Sequence, residues 1–259
     1  MSTALVNETE GLSLSNAGNS GILGLSFPLP ASIPAISGRT LLENVFASLD
    51  DYQRFFAYKL GRDQNQHQDS GFAASSFNIG QLDPAIANDT SSFQYTPVVG
   101  FGGAYDYWKL PLRALTVNSN PLHLSPSLIP GSRTPIAVLD TGTTLILGPS
   151  ADVDNFWATI GGNEIVRKNL DLGMWEVKCN RAVLVAFTVG DENNSKEYVV
   201  HPGDINWGEA RSPGGWCMGG IQANDAVSAL FYAVITCLIS VHLGEFCGLA
   251  LRRCLPTGK

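Results

Sequence analysis

The sequence predicts a mainly β fold, and three observations carry that prediction. Charged residues make up 15% of the 259 residues, well below the roughly 25% of an ordinary soluble domain. The 27 Gly and 14 Pro lie mostly between short apolar runs, where they act as turn residues. The runs themselves are only a few residues long and rich in aromatic and β-branched residues. Such a succession is typical of sandwich-like or barrel-like domains and not of βαβ units.

The predicted strands follow one another along most of the chain, and most of them are separated by Gly, Pro, Asn or Asp. They cover residues 55–60, 77–80, 107–112, 114–117, 136–139, 175–179, 183–189 and 198–200. Their number is enough for one large or two smaller β domains, which is what a chain of 259 residues allows.

Two helices interrupt the strands. Thr40 and Glu43 have the spacing of a capping box, which predicts a short helix over residues 41–49. A second helix is predicted to begin at Ser150 as its N-cap and to end at a left-handed stop supplied by Gly161-Gly162. Its apolar face has helical spacing and consists of Val153, Phe156, Trp157 and Ile160. Both helices are interpreted as packing elements without chemistry.

The charge balance excludes one class of partner. The formal net charge is −7, and the 16 Lys and Arg form no basic face of the kind that binds phosphate backbones, so no nucleic acid is expected. No Gly-rich phosphate loop and no histidine cluster with ligand spacing occurs, so neither a cofactor nor a metal is predicted. The histidines are scattered at His67, His123, His201 and His242.

Cysteines and glycosylation sequons bear on the compartment in which the chain folds. The five cysteines are Cys179, Cys217, Cys237, Cys247 and Cys254, and none of them forms a C-x-x-C pair. Asn-x-Ser/Thr sequons occur at Asn7, Asn88 and Asn193 and favour a secretory protein weakly, since such triplets also arise by chance. The N-terminus shows no basic stretch followed by an apolar run, so no signal peptide is predicted and the location stays open.

Residues 226–244 contain no charged side chain and are long enough to cross a bilayer. A membrane is therefore a potential partner only through this segment. The alternatives are a buried core helix or a non-native tail, because polar and small residues interrupt the apolar run.

The strongest local signal is the segment 136–149, in which an apolar strand leads directly into Asp140-Thr141-Gly142 and a second apolar strand follows. A carboxylate in this position is partly buried, and neighbouring hydroxyls and amides can hold it. Asp-Thr-Gly alone usually indicates a turn. With apolar strands on both sides and a helix behind them, the segment resembles the active-site loop of pepsin-like aspartic proteases.

The resemblance extends from about residue 5 to about residue 224. Segments similar to the family's conserved pattern are Gly21-Ile-Leu-Gly24, 77–84, 95–98, Tyr107-Trp108, and 216–222. The chain is identified as a member of this family, of the fungal type. The resemblance implies a bilobal β fold, in which residues 1–104 are a partial N-terminal lobe and 105–225 most of the C-terminal lobe. Residues 226–259 form a tail outside the family pattern.

The resemblance also implies the chemistry, an aspartic endopeptidase that acts as a monomer on polypeptides, without a cofactor, in a secreted or vacuolar location. Asp140 would be one of two catalytic aspartates, supported by Thr141. Gly142 and Thr143 would bind the substrate backbone. The implied pocket residues are Tyr107 and Val138 after the scissile bond and Ile22 before it, and the implied disulfide joins Cys179 to Cys217. Each pocket residue is equally consistent with ordinary core packing.

The sequence departs from the family in one respect that decides activity. It contains a single Asp-Thr-Gly where the family has two, and neither the first catalytic aspartate nor the flap tyrosine is found. We therefore expect this chain to be catalytically incomplete by itself. Residues from 226 onward match no family segment, and translated intron sequence is one explanation for them.

Three alternatives to the endopeptidase stay open. The first is a non-catalytic peptide-binding module that keeps the cleft without the pair of aspartates. The second is pairing of two identical chains that contribute one Asp-Thr-Gly each, which the residues before the motif would obstruct. The third is a membrane-tethered form that uses residues 226–244.

Overall fold

The structure is a computed structural model that describes residues 21–28, 38–59, 75–83, 95–127, 129, 131–132, 134–209, 214–225, 232–233 and 249–252. It is mainly β, which confirms the predicted class. The helices are α1 (Leu41–Ala47), α2 (Ser150–Ile160) and α3 (Pro202–Ile205), with a 3-10 turn at Asp51–Gln53. The strands are β1 (Phe55–Lys59), β2 (Ser76–Ile79), β3 (Lys109–Val117), β4 (Asn120–Leu122), β5 (Ile136–Val138), β6 (Ile146–Gly148), β7 (Val166–Asn169), β8 (Met174–Lys178), β9 (Val185–Gly190), β10 (Ser195–Val200), β11 (Asn206–Glu209), β12 (Trp216–Gly219), β13 (Ile221–Ala223), β14 (Tyr232–Ala233) and β15 (Leu249–Arg252).

Within the described ranges the strands form three sheets. The largest has the order β10-β9-β3-β5-β14-β6-β13, with β4 paired to β3. The second has the order β11-β12-β8-β7, and the third has the order β15-β1-β2. Where the sequence predicted two strands, 107–112 and 114–117, the structure has the single strand β3. A register shift between Leu112 and Ala114 opposite β9 marks a bulge that keeps the strand continuous.

Helix α2 packs its predicted apolar face into the core. Val153, Phe156, Trp157 and Ile160 are all buried, which confirms the face. The indole of Trp157 donates a hydrogen bond to the carbonyl of Ile221 at 3.0 Å, so β13 and the helix are tied together. A side chain on Gly219 would meet the Trp157 ring at 2.3 Å, and glycine is therefore required at this approach.

Both ends of α2 differ from the prediction. Ser150 is the first helical residue, and Pro149 precedes it without a side-chain cap. The amide and hydroxyl of Ser150 donate instead to the carboxylate of Asp225, so the cap comes from a distant part of the chain. Gly161 has φ 163° and is extended, not left-handed. Glycine fits there because a Cβ would lie 2.7 Å from the side chain of Ile165.

Helix α1 has the predicted capping box. The hydroxyl of Thr40 accepts from the amide of Glu43 at 3.2 Å, and the Thr40 amide donates to the Glu43 carboxylate at 2.9 Å. The helix ends at Ala47, two residues before the predicted end, where the amide and the hydroxyl of Ser48 both bond the Val45 carbonyl.

An aromatic cluster joins the segment 21–28 and β1 to the start of β3. The ring of Trp108 lies 4.4 Å from Phe27 and 5.4 Å from Phe56, measured between centroids. The Trp108 indole also donates to the carbonyl of Leu25 at 2.9 Å. These contacts hold residues from both predicted lobes in one core.

The disulfide predicted between Cys179 and Cys217 is present, with Cα atoms 4.9 Å apart. It links the end of β8 to β12, two strands that are already paired. Cys237, Cys247 and Cys254 lie outside the described residues, as do the sequons at Asn7 and Asn88.

The segment 226–244 also lies outside the described residues, apart from β14. The backbone of β14 runs parallel to β5 and antiparallel to β6, so it lies between the two strands that flank Asp140. Strand β15 pairs with β1. In the described part of the chain, no helix has the length and apolar character needed to cross a membrane.

Candidate active site

Asp140 stands just beyond the end of a buried strand. The three residues of β5 and Leu139 are all buried, whereas Asp140 is half-buried. Strand β3 fixes this end, because Lys109 is the register partner of Val138 and the Leu139 amide donates to the Trp108 carbonyl at 2.9 Å. The pairing with β3 thus fixes the apolar strand in the sheet, and the Asp140 carboxylate lies just after the end of that strand.

The carboxylate of Asp140 is held by its own turn. The amide of Gly142 donates to Oδ1 at 2.8 Å, and the hydroxyl of Thr143 donates to Oδ2 at 2.7 Å. Both oxygens of the carboxylate therefore accept a hydrogen bond from the turn, which fixes the plane of the carboxylate. A Cβ at position 142 would lie 3.1 Å from Oδ1, so a larger residue would press on the carboxylate. The chain then returns to the sheet through the Ile146 amide, which donates to the Gly220 carbonyl at 2.9 Å.

The other residues predicted for the site differ in their exposure. Thr141 and Gly142 are exposed, and Thr143 is half-buried. Tyr107 precedes Trp108, whose carbonyl accepts from the Leu139 amide, so the antiparallel pairing of the two segments brings the Tyr107 backbone toward that of Asp140. Its side chain is 42% exposed.

Ile22 and Val138 differ sharply in exposure. Ile22 is 71% exposed, on the segment whose Phe27 amide bonds the Asp106 carbonyl at 3.1 Å. This bond places Phe27 next to Asp106, the residue before Tyr107. Val138 is only 7% exposed and lies beneath the surface as part of β5.

An ion pair between the buried Lys109 and the half-buried Asp106 was not foreseen from the sequence. Lys109 is buried, and its ammonium lies 2.5 Å from Oδ1 of Asp106, which also accepts from the Tyr107 amide at 2.8 Å. Burial by itself would raise the pKa of Asp106. The hydrogen bond from Lys109, the Tyr107 amide and the Lys109 charge together hold that pKa below its ordinary value. The sequence does show that Asp106 and Lys109 have opposite charges three positions apart. It does not show that Lys109 is buried, and the burial is what makes the pair important.

The described residues contain no group of three or more His, Cys, Asp or Glu side chains arranged to hold a metal ion. The chemistry that the described site offers is that of an oriented carboxylate beside exposed apolar side chains.

The Asp-Thr-Gly turn of residues 140–142 lies between β5 and β6, two strands of one sheet. The family model for eukaryotic aspartyl proteases matches residues 1–231. The chain belongs to this family, and the pepsin-like bilobal β fold predicted from the sequence is that of the family.

Similarity to individual proteins agrees with the family. The chain is 27% identical to endothiapepsin of Cryphonectria parasitica over 208 residues, which are 80% of this chain and 42% of endothiapepsin. It is 26% identical to chymosin of Camelus dromedarius over 227 residues, 85% of this chain and 50% of that chymosin. It is 29% identical to major aspartyl peptidase 1 of Cryptococcus neoformans over 124 residues, 48% of this chain and 24% of that peptidase. The chain therefore spans half or less of the length of these relatives.

Proposed function

We propose that the chain is part of an aspartic-type endopeptidase and that Asp140 is one of its two catalytic carboxylates. The observation that carries the proposal is the pair of hydrogen bonds that Gly142 and Thr143 donate to opposite oxygens of Asp140. They orient the carboxylate at the end of a buried strand, which is the rigidity that acid–base chemistry requires. Family membership supplies the reaction class.

The reaction needs a second carboxylate close to Asp140. Two carboxyl groups at short distance cannot both ionise, so they share one proton and titrate in two steps, with pepsin as the established example. The ionised member removes a proton from a water held between them, and that water attacks the scissile carbonyl carbon. The protonated member donates a hydrogen bond to the carbonyl oxygen. The carboxyl that took the proton from water gives it to the amide nitrogen, which leaves as an amine when the C–N bond breaks.

We propose that these 259 residues by themselves do not hydrolyse peptides, since they contain a single Asp-Thr-Gly. One oriented carboxylate can neither share a proton nor hold the water from both sides. We place the lobe boundary between residues 104 and 105 and take 226–259 as a tail, as the sequence predicted. Thr141 supports the pairing of the two catalytic loops in this proposal.

Polypeptides are the proposed substrates, bound in extended form across the Asp140 turn. In this proposal Tyr107 and Ile22, whose side chains are exposed, form apolar walls on either side of the scissile bond, and Val138 lies beneath the surface. The Gly142 and Thr143 backbone is exposed or half-exposed and can bond a substrate main chain. The disulfide favours a secreted or vacuolar location, because such bonds persist in oxidising compartments.

A second candidate function is peptide binding without hydrolysis. The observation in its favour is the exposed pair Tyr107 and Ile22, which would hold apolar side chains whether or not a second carboxylate is present. A peptide affinity that is unchanged in Asp140→Ala and lost in Tyr107→Ala would support this candidate.

The test of the main proposal is expression of the longest product of the gene, identified by sequencing transcripts across the codon for Met1. We expect a second Asp-Thr-Gly in that product and cleavage of an unfolded protein at acid pH. Asp140→Asn should reduce the cleavage rate by about 10²- to 10⁴-fold. The matched control is Asp171→Asn, at an exposed aspartate in the turn after β7, which should have no effect. A product without a second Asp-Thr-Gly, or cleavage that survives Asp140→Asn, would contradict the proposal.

A further inference from the structure

We infer that Asn193 is an acceptor for N-linked glycosylation. The triplet Asn193-Asn194-Ser195 has the required sequence; Asn193 and Asn194 lie in the turn that joins β9 to β10, and Ser195 is the first residue of β10. All three residues are exposed. A sequon at an exposed hairpin turn satisfies the structural requirement for a bulky, solvated modification.

Hydrogen bonding in the turn distinguishes Asn193 from its neighbour. The carboxylate of Asp191 accepts from the amides of Asn193 and Asn194 at 2.9 and 2.8 Å, so the turn's backbone donors are satisfied locally. The side-chain amide of Asn194 donates to the carbonyl of Tyr95. Among the described residues, nothing bonds the carboxamide of Asn193. That side chain can therefore carry a sugar without breaking a contact of the fold.

The disulfide is an independent observation that points to the same compartment. Cys179 and Cys217 are bonded in the structure, and bonds of this kind form in the lumen of the secretory route. Oligosaccharide transfer to asparagine takes place in that lumen. The inference therefore rests on one part of the proposed function, the secretory location, and it does not rest on catalysis by Asp140.

The donor is a lipid-pyrophosphate-linked oligosaccharide. The side-chain nitrogen of Asn193 attacks the anomeric carbon of the first sugar, and a C–N bond forms there. The bond from that carbon to the phosphate oxygen breaks, and the lipid pyrophosphate leaves with the electron pair. The side-chain nitrogen loses one proton to the solvent, which balances the added negative charge on the released lipid pyrophosphate. The hydroxyl of Ser195 is the sequon group that only serine or threonine can supply.

The test is secretion of the full chain behind a cleavable leader in a eukaryotic host. The leader-cleaved form is treated with a glycan-releasing amidase in heavy-oxygen water, and the peptide that contains Asn193 is measured by mass spectrometry. Release converts a glycosylated Asn193 to an aspartate that carries the heavy isotope. We expect this label in the wild type and in Ser195→Thr, and its complete loss in Ser195→Ala and Asn193→Gln.

The pair Ser195→Thr and Ser195→Ala is matched, since both change the same exposed position and only one keeps the hydroxyl. The same digest reports whether Cys179 and Cys217 are bonded. An unmodified Asn193 in leader-cleaved chain, with or without the disulfide, overturns the inference. Labelling that persists in Ser195→Ala overturns it as well. Loss of proteolysis in Asp140→Asn leaves the result unchanged, so this inference and the proposed function can fail separately.

Discussion

The carboxylate of Asp225 caps helix α2 at Ser150, a residue 75 positions earlier in the chain. Oδ1 accepts from the Ser150 amide at 2.8 Å, and Oδ2 accepts from the Ser150 hydroxyl at 2.7 Å. A carboxylate at a helix N-terminus satisfies a free amide and interacts favourably with the helix dipole. Since α2 packs against the sheet that carries Asp140, this cap also stabilises the framework of the site.

Replacement of Asp225 by alanine should lower the free energy of unfolding by about 1 kcal/mol, the usual cost of losing an N-terminal cap. The midpoint of urea unfolding measures the change. Asp171→Ala is the control, because that aspartate is exposed and lies in a turn, not at a helix N-terminus. The Asp171→Ala variant should therefore have the same unfolding midpoint as the wild type. Equal midpoints for all three proteins would show that the cap adds no stability.

Two aspartates on α2 provide a matched comparison. Asp152 is 7% exposed and accepts three hydrogen bonds from the amide and hydroxyl of Ser125, whereas the side chain of Asp154 is 50% exposed. Asp152→Ala leaves a half-buried amide without a partner and should cost about 3 kcal/mol. Asp154→Ala should cost less than about 1 kcal/mol. Denaturant unfolding of both variants tests this order, and equal losses would contradict it.

The pair of Asp106 and Lys109 predicts a pH dependence of stability. The pKa of Asp106 is lower in the folded chain than in the unfolded chain, so the unfolded state binds the proton first as the pH falls. The contribution of Asp106 is therefore fully present above about pH 4 and is lost as the pH falls through the folded pKa. The wild type should be more stable than Asp106→Asn near neutral pH, and the difference should shrink in acid. Unfolding free energies at several pH values measure it, and a difference that grows in acid would refute the assignment.

The disulfide should make the largest single contribution among these features. The loop between Cys179 and Cys217 spans 38 positions, for which chain entropy gives about 4 kcal/mol. The double variant Cys179→Ala, Cys217→Ala should lose about this much in denaturant unfolding. A thiol reductant should bring the wild type to the level of the variant and leave the variant itself unchanged. A reductant effect of the same size on both proteins would indicate another cause.

Features set by local spacing could be predicted from the sequence. The Asp140 loop lies between apolar strands, and the capping box of Thr40 and Glu43 depends only on residues three positions apart. The apolar face of α2 follows from helical periodicity in the same way. Each of these patterns is complete within about one turn or one strand, so no tertiary contact is needed to recognise it.

Features that join distant residues could not be predicted. Ser150 is a good N-cap by residue type, but Asp225 takes that role because β13 brings it to the helix. Lys109 becomes buried only when β3 pairs with β5, and its importance for Tyr107 follows from that burial. A local pattern in a single sequence does not show which distant side chain will contact a given residue in the folded chain.

Hydrolysis by the purified chain of 259 residues is the most direct test of the central claim that one oriented aspartate is not enough. An unfolded protein is incubated at acid pH with wild type and with Asp140→Asn, after the Cys179–Cys217 bond of both has been verified. We predict that both proteins cleave no faster than the buffer control. Cleavage by the wild type that is blocked by a statine-containing peptide and absent in Asp140→Asn would contradict the claim.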